Sequence, residues 1–590
     1  MMLKTLLKET RQYRNASIMT PVWTSLEVVT EILVPYVTAF VIDRGINAGS
    51  IPDIYKYGGM MVVLALFSLL FGIMAGRFAA YSSTGFAANL RLAMYTNIQK
   101  FSFSDIDKFS TSGLVTRMTT DVSNMQRAFQ MMMRISFRAP LNMVTALFMC
   151  FFINGGLSLI FVFAMVVLVV ALTLLITKAS RLFKEIYVTY DDLNASVQEN
   201  VSAIRVVKAF VREEHELGKF GKAARRLFDL NVKAETLMAL NHPVMNLVVN
   251  ACIIAVSWWG AHFIVEGSLT TGQLTSLFSY ILTIMSSLMM LSMIFVQLTQ
   301  SFASGERIAE VLEEIPDMTD PSEPIIEVKD GSIAFENVDF SYGKGGGNAL
   351  SGVSLEIKAG ETVGVIGGTG SGKSSLVNLI PRLYDATSGR VLVGGVDVRN
   401  YSMNALREQV AMVLQNSTLF TGTILENLRW GKEDATLEEC REACRQACAD
   451  DFIQAFPEGY ETVMDQGGTN VSGGQRQRIC IARALLRHPK VLILDDSTSA
   501  VDTATDAKIR SAFMQRIPGT TKIIISQRIL SIKDADRIVV MDKGRVCGYD
   551  THENLLENNS IYKEIYDMQT SGGEGDFDDA LKAGEGRTDE

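Results

Sequence analysis

Hydrophobic residues are arranged in two ways along this chain. In the first half they form long runs free of charge, such as 58–76 and 157–177, each close to the roughly 20 residues that a helix needs to cross a bilayer. Six such spans are predicted, at about 18–43, 58–80, 130–153, 157–177, 238–265 and 274–300. Beyond residue 330 the runs shorten. Residues 331–355 alternate apolar and polar as strands do, 362–366 and 491–494 are short apolar strands, and 375–384 carries helical spacing. Strands alternating with helices predict a parallel sheet, so an α-helical six-span transmembrane domain is expected ahead of an α/β domain.

Charge orients this arrangement. Basic residues cluster after the second and fourth spans (Arg91, Lys100, Lys108 and Arg117, then Lys178, Arg181, Lys184, Arg205, Lys208 and Arg212), whereas the opposite loops hold little beyond Arg44 and Lys56. The basic side is cytoplasmic, and an even number of spans leaves both termini there. The expected location is the bacterial cell (cytoplasmic) membrane, as a multi-pass protein among its lipids, with the α/β domain in the cytoplasm. Residues 1–17 mix Leu3, Leu6, Leu7 and Tyr13 with Lys4, Lys8, Arg11 and Arg14, the pattern of an amphipathic helix lying on the membrane surface. The membrane domain then covers 18–315. A linker with Pro316, Pro321 and Pro324 covers 316–330, the α/β domain 331–568, and an acidic, glycine-rich tail, read as disordered, 569–590.

Composition adds two exclusions. With 590 residues and a net charge of -9, and with its basic residues accounted for by topology, the chain carries no nucleic-acid footprint. The seven cysteines form no disulfide framework, since most fall in the cytosolic domain. Cys440, Cys444 and Cys448 recur every four residues, which reads as one packed helix face rather than a metal site.

The chemistry starts at Gly367, Gly368, Thr369, Gly370, Ser371, Gly372, Lys373 and Ser374, followed by Ser375. This is a phosphate-binding loop set between a strand and a helix: its glycine backbone N–H groups cradle phosphates, Lys373 meets the β/γ-phosphates and Ser374 ligates Mg²⁺. Asp495, at the end of the strand 491–494, is a carboxylate placed to hold Mg²⁺ through water. Between them, 471–475 opens a helix-like run containing Arg476, Arg478 and Arg483.

The order of 367–374, Gln415, 472–475, 491–495 and 499–502 closely resembles the ATP-binding cassette of ABC transporters, and six spans ahead of one cassette resemble an ABC exporter half-transporter. The resemblance implies ATP and Mg²⁺ as cofactors and an ATPase coupled to transport. It implies that Tyr342 stacks on adenine, that Gln415 meets Mg²⁺ and attacking water, and that Ser472, Gly473, Gly474 and Gln475 approach the γ-phosphate held by an opposite cassette. Asp502 falls in the loop that follows the second strand in this family. Residues 104–118 and 200–210 resemble the coupling helices that press on the cassettes. The segment 462–468 resembles an exporter-specific contact, with Asp465 where glutamate is usual.

Two positions depart from the family. Asp496 stands where glutamate polarises the attacking water, and a carboxylate shorter by one methylene retreats by on the order of 1 Å, which can cost about 100-fold in rate. Gln527 stands at the switch position in place of histidine; it can hydrogen-bond a γ-phosphate but cannot carry a proton. With binding residues and signature intact, the pattern resembles the degenerate-site subunit of a heterodimeric multidrug-type exporter. Such a chain binds ATP and hydrolyses it poorly, while its signature completes the competent site of a second, non-identical half-transporter. A homodimer that hydrolyses slowly at both sites is the alternative. The expected cargo is a hydrophobic or amphiphilic small molecule, with lipid or peptide export, or a nucleotide-gated regulatory subunit, as other readings.

Charges inside the membrane need a reason. Glu27 and Glu31 share a face of the first span, and Arg134 and Arg138 share one on the third. Counting rise from the outer ends puts Glu27 and Arg138 at a common depth of about 24 Å. Structural pairing is the leading reading; a cavity whose carboxylates attract cationic amphiphiles is the other. Met285, Met289 and Met293 stripe the sixth span, either as packing residues or as a pliable substrate surface.

Overall fold

The computed structural model describes residues 2–343, 347–497, 501 and 503–571. It contains two compact units, Met1–Gln99 with Thr111–Glu314, and Lys100–Ser110 with Ile315–Glu590.

The first unit is helical. Its elements are α1 (Met2–Lys8), α2 (Arg14–Phe40) and α3 (Ile51–Ile98); then, after α4 (Phe103–Phe109) of the second unit, α5 (Thr111–Thr116), α6 (Val122–Ile153), α7 (Gly155–Ser202), α8 (Ile204–Ala209), α9 (Glu213–Ala239), α10 (Asn241–Val265) and α11 (Thr271–Glu313). Six stretches among the described residues are long and apolar enough to cross a membrane. With 48 residues each, α3 and α7 run about 72 Å, well beyond a hydrocarbon core of about 30 Å. The apolar spans 58–80 and 157–177 therefore lie toward the N-terminal ends of longer rods, whose C-terminal parts carry basic residues past the bilayer.

The core of this unit joins Val28 and Ile32 of α2, Ala146 and Cys150 of α6, Phe161 and Leu168 of α7, and Tyr280 and Ile284 of α11. Pro35 removes one backbone donor from α2. Along the same stretch, the Tyr280 hydroxyl donates to the Ile32 carbonyl at 2.8 Å and Ser276 Oγ to the Pro35 carbonyl at 2.6 Å. Side chains of α11, themselves buried, thus satisfy carbonyls of α2.

Residues 2–17 are not one continuous helix. They form α1, a 3₁₀ turn at Arg11–Tyr13 and the first turn of α2. Leu6 is buried against α11, where a Cβ at Gly305 would lie 3.3 Å from its Cδ1, while Leu3 and Leu7 remain exposed. The amphipathic pattern serves a protein contact on one face and leaves apolar groups on the other.

The second unit is built on two sheets. One is antiparallel, in the order β2 (Leu350–Ile357), β1 (Ile333–Phe340), β4 (Ser388–Val393) and β5 (Val396–Asp397). The other has the order β12 (Arg545–Asp550), β11 (Arg537–Asp542), β3 (Thr362–Gly367), β10 (Thr521–Ile525), β9 (Val491–Asp495) and β6 (Val410–Val413). All its pairings are parallel except β11 with β12. The strands β3, β9 and β10 are buried along their whole length, which is why they read as continuous apolar runs. The short strands β7 (Gly422–Thr423) and β8 (Val463–Met464) pair separately.

Three sequence expectations shift here. The stretch 316–330 is no free linker: Met318 and Val328 are buried and Ile325 bridges to Tyr401. The helix expected over 375–384 is Lys373–Asn378, because Pro381 has no N–H to continue it and its ring crowds the carbonyl four residues earlier. At the end of the domain the helix Ser560–Ser571 runs on beyond residue 568, anchored by buried Tyr562 and Ile565; residues 572–590 lie outside the described residues.

Candidate functional site: a nucleotide-binding centre

The phosphate loop leaves β3 at Gly367, where a Cβ would come within 2.2 Å of the Met541 carbonyl oxygen. Gly372, at φ +96°, leaves no better room: a Cβ there would lie 2.7 Å from the Ala349 carbonyl. Glycine is required at both by close backbone approach. Lys373 Nζ donates to the carbonyls of Gly367 and Gly368, each at 2.8 Å, which keeps the ammonium on its own loop. Thr369 and Gly370 form the loop's tip, and Ser371 donates its N–H to the Gly368 carbonyl.

Ser374 Oγ donates to Asp495 Oδ1 at 3.1 Å, so the loop and the end of β9 converge on one point. Burial raises the Asp495 carboxyl above its usual value against the opposing pull of Ser374 and Lys373. Asp496 follows in a left-handed conformation at φ +47°. Its carboxyl is raised first by burial and then by the neighbouring Asp495 charge, while Lys373, the Gln415 amide and Arg528 pull the other way. The buried carboxylate of Asp495 and the partly buried one of Asp496 beside a lysine, with oxygen donors from Ser374 and Gln415, fit a hard dication, whose charge would bring both carboxyls back down.

The switch residue meets Asp496 through the sheet. Because β10 pairs parallel with β9 in the register Ile525 to Asp495, Gln527 and Asp496 leave adjacent strand ends, and the Asp496 N–H donates to the Ile525 carbonyl at 3.2 Å. Tyr342 is half exposed; its hydroxyl shares a 2.9 Å hydrogen bond with Ser375 Oγ, and Phe340 and Tyr384 make T-shaped contacts with its ring.

Sequence reasoning missed what lies behind Tyr342. Tyr384 donates its hydroxyl to Asp107 Oδ2 at 2.8 Å and packs its ring on Phe103, both on α4. Burial, then this bond, pushes the Tyr384 hydroxyl pKa up. The first of the segments expected to couple therefore folds with the nucleotide-binding unit as far as Ser110. No local pattern signals this contact, since the two residues stand 277 positions apart.

The signature opens the helix Gly473–Leu485 with a capping box: Ser472 Oγ accepts the Gln475 N–H, and Gln475 Oε1 accepts the Ser472 N–H. Gln475 is thus committed to its own backbone, leaving Ser472 exposed and Gly473 and Gly474 bare at the helix start. Arg476 donates to the carbonyls of Gly467 and Gly468, and Asn470 clasps Val463 and Asp465, so the Asp465 segment is tied to the signature. Asp502 lies outside the described residues.

Within the membrane unit, Arg138 bridges the two acids, at 2.9 Å to Glu27 and 2.7 Å to Glu31. Arg134 does not share in this pairing; it faces Gly76 of α3, as Glu27 faces Gly72, the glycines leaving room for the charged groups. The three methionines sit in unlike places. Met285 is buried in the core beside Tyr280, Met289 is partly buried and Met293 is 69% exposed. Cys440 and Cys444 are buried, but Cys448 lies past the end of its helix at φ +53°, so the three do not share a face. Around α8, Val206, Phe210 and Val211 are exposed, Phe210 by 73%.

Residues 18–288 match the family described as the ABC transporter transmembrane region, and 350–499 match the one described as ABC transporter. The chain is 37% identical over 543 residues to YfiB, an uncharacterized ABC transporter ATP-binding protein of Bacillus subtilis strain 168, covering 92% of this chain and 94% of that one. It is 33% identical over 486 residues to the ATP-dependent lipid A-core flippase of Syntrophus aciditrophicus strain SB, covering 82% and 80%. A solved bacterial Atm1-family ABC exporter with ATP bound superposes with a TM-score of 0.79 at 25% identity, over 95% of this chain and 100% of that one.

Proposed function

Since the chain belongs to the ABC transporter family, as an exporter-type half-transporter with its ATPase domain in the cytoplasm, we propose that it is the degenerate-site subunit of a heterodimer. The observation that carries this reading is the composition of one site. The groups that bind nucleotide are assembled, with Lys373 on its loop and Ser374 joined to Asp495, while the two groups that would drive hydrolysis are the short Asp496 and the uncharged Gln527. ATP is held at this chain's own loop and spent slowly. Its capped, exposed signature serves the other site, whose loop belongs to a different half-transporter.

The exposed Phe210 and Val211 support a second chain, since apolar side chains of this size on the cytoplasmic side of a membrane protein need a covering surface. For the cargo, the lipid A-core flippase among the relatives supports an amphiphile with a long apolar part. Affinity purification of this chain from its native membranes tests the pairing. The account expects an equimolar second half-transporter with glutamate and histidine at the positions matching Asp496 and Gln527. Recovery of this chain alone, as a dimer that hydrolyses ATP at both sites, would refute it.

A further inference from the structure

The switch loop is held from outside the phosphate site. Gln569, in the last turn of the helix Ser560–Ser571, donates Nε2 to the Gln527 carbonyl at 2.7 Å and accepts the Ile529 N–H on Oε1 at 2.9 Å. One side-chain amide therefore closes two hydrogen bonds on the backbone either side of Arg528. A primary amide offers a donor and an acceptor side by side in one rigid plane.

The helix behind it is firmly seated. Tyr562 and Ile565 share a hydrophobic core with Ile529 and Ile532, and the Tyr562 hydroxyl meets His552 Nδ1 at 2.7 Å. On the opposite side of the loop, Ser531 Oγ donates to Asp506 Oδ2 at 3.0 Å. The segment carrying Gln527 is thus fastened at both ends, and Gln569 holds the end at Gln527 itself.

We propose that Gln569 is a positioning residue which sets the reach of Gln527 toward the γ-phosphate, and thereby the preference of this site for ATP over ADP. It acts through the backbone of the switch loop and touches no nucleotide. A slack loop would cost the contact to the γ-phosphate and leave the contacts to adenine and the β-phosphate, which belong to Tyr342 and the loop 367–374. The inference rests on the reading of Gln527 as the γ-phosphate contact.

Photoaffinity labelling of the full chain in its native membranes, with 8-azido-ATP and 8-azido-ADP, separates the outcomes. Gln569→Leu is expected to weaken ATP labelling about five-fold, the scale of one lost hydrogen bond, with ADP labelling unchanged within two-fold. Gln569→Glu keeps the acceptor for Ile529 but sets a carboxylate oxygen against the Gln527 carbonyl, so it should show the same selectivity at no smaller size; it also carries the test if the leucine variant does not fold. In a Gln527→Ala background the effect of either change should vanish, because the two residues act as one unit. Equal loss of both nucleotides, no loss of either, or a selective loss that persists without the Gln527 side chain would each overturn the proposal. If Gln527→Ala alone leaves the ATP-to-ADP ratio untouched, the γ-phosphate reading of the switch fails instead.

Discussion

Ser374 donates its hydroxyl to Asp495 Oδ1 at 3.1 Å, and Asp496 leaves that junction in a left-handed conformation at φ +47°. A carboxylate one methylene shorter than glutamate has no spare length there to follow an attacking water. Restoring the length and the proton carrier together, as Asp496→Glu with Gln527→His, should raise hydrolysis at this site by about 10- to 100-fold. The assay is ATPase activity of an assembly whose other site has been silenced; a change below two-fold would contradict it.

The same carboxylate carries a stability cost. Burial and Asp495 raise its pKa in the folded protein above the ordinary value of 3.8, so the folded state holds the proton more tightly than the unfolded one. Stability therefore falls as pH climbs from about 4 through the raised value, and the whole cost is present at pH 7. Asp496→Asn removes it. Thermal unfolding of the nucleotide-free protein at pH 7 should shift upward by about 2–4 °C, and the shift should shrink at pH 4.

Tyr384 tests the link between α4 and the adenine site. Tyr384→Phe keeps the ring contacts with Tyr342 and Phe103 and removes only the hydrogen bond to Asp107. Cargo flux per ATP hydrolysed should fall several-fold while ATP affinity stays within two-fold. Loss of affinity with coupling intact would assign the hydroxyl to nucleotide binding instead.

In the membrane unit, Glu27 is nearly buried and Glu31 half exposed, with Arg138 between them. Arg138→Ala leaves a buried carboxylate without its partner and should cost on the order of 3 kcal/mol. Glu31→Gln should cost a fraction of that. Thermal denaturation in detergent gives the ranking, and an equal effect of the two substitutions would show that Arg138 does not hold Glu27.

Sequence patterns revealed some of these features because their causes are local. Glycines 367 and 372, Lys373 and Ser374 are read from one short stretch, and the common depth of Glu27 and Arg138 follows from helical rise alone. Arg134 shows the limit of that count, since matching faces do not say which arginine a third helix will shield. Apolar spacing carries the predicted helix after the phosphate loop to residue 384, whereas Pro381 ends it at Asn378. Gln569 was invisible for a different reason: it sits at the border of an acidic, glycine-rich stretch, and its partner lies 42 residues away, brought close only by the packing of Tyr562 and Ile565. The pairing of Asp107 with Tyr384 likewise depends on a segment leaving the helices that flank it in sequence.

The central claim is that this chain keeps its ATP while the assembly turns over. The most direct test supplies the purified transporter with ATP labelled on both the α- and γ-phosphates, allows many turnovers, and counts the nucleotide retained after rapid removal of the free pool. The account predicts one retained nucleotide per assembly, crosslinkable to this chain, with a γ-to-α label ratio near one. A ratio near zero, or retained label distributed equally between two sites, would contradict it.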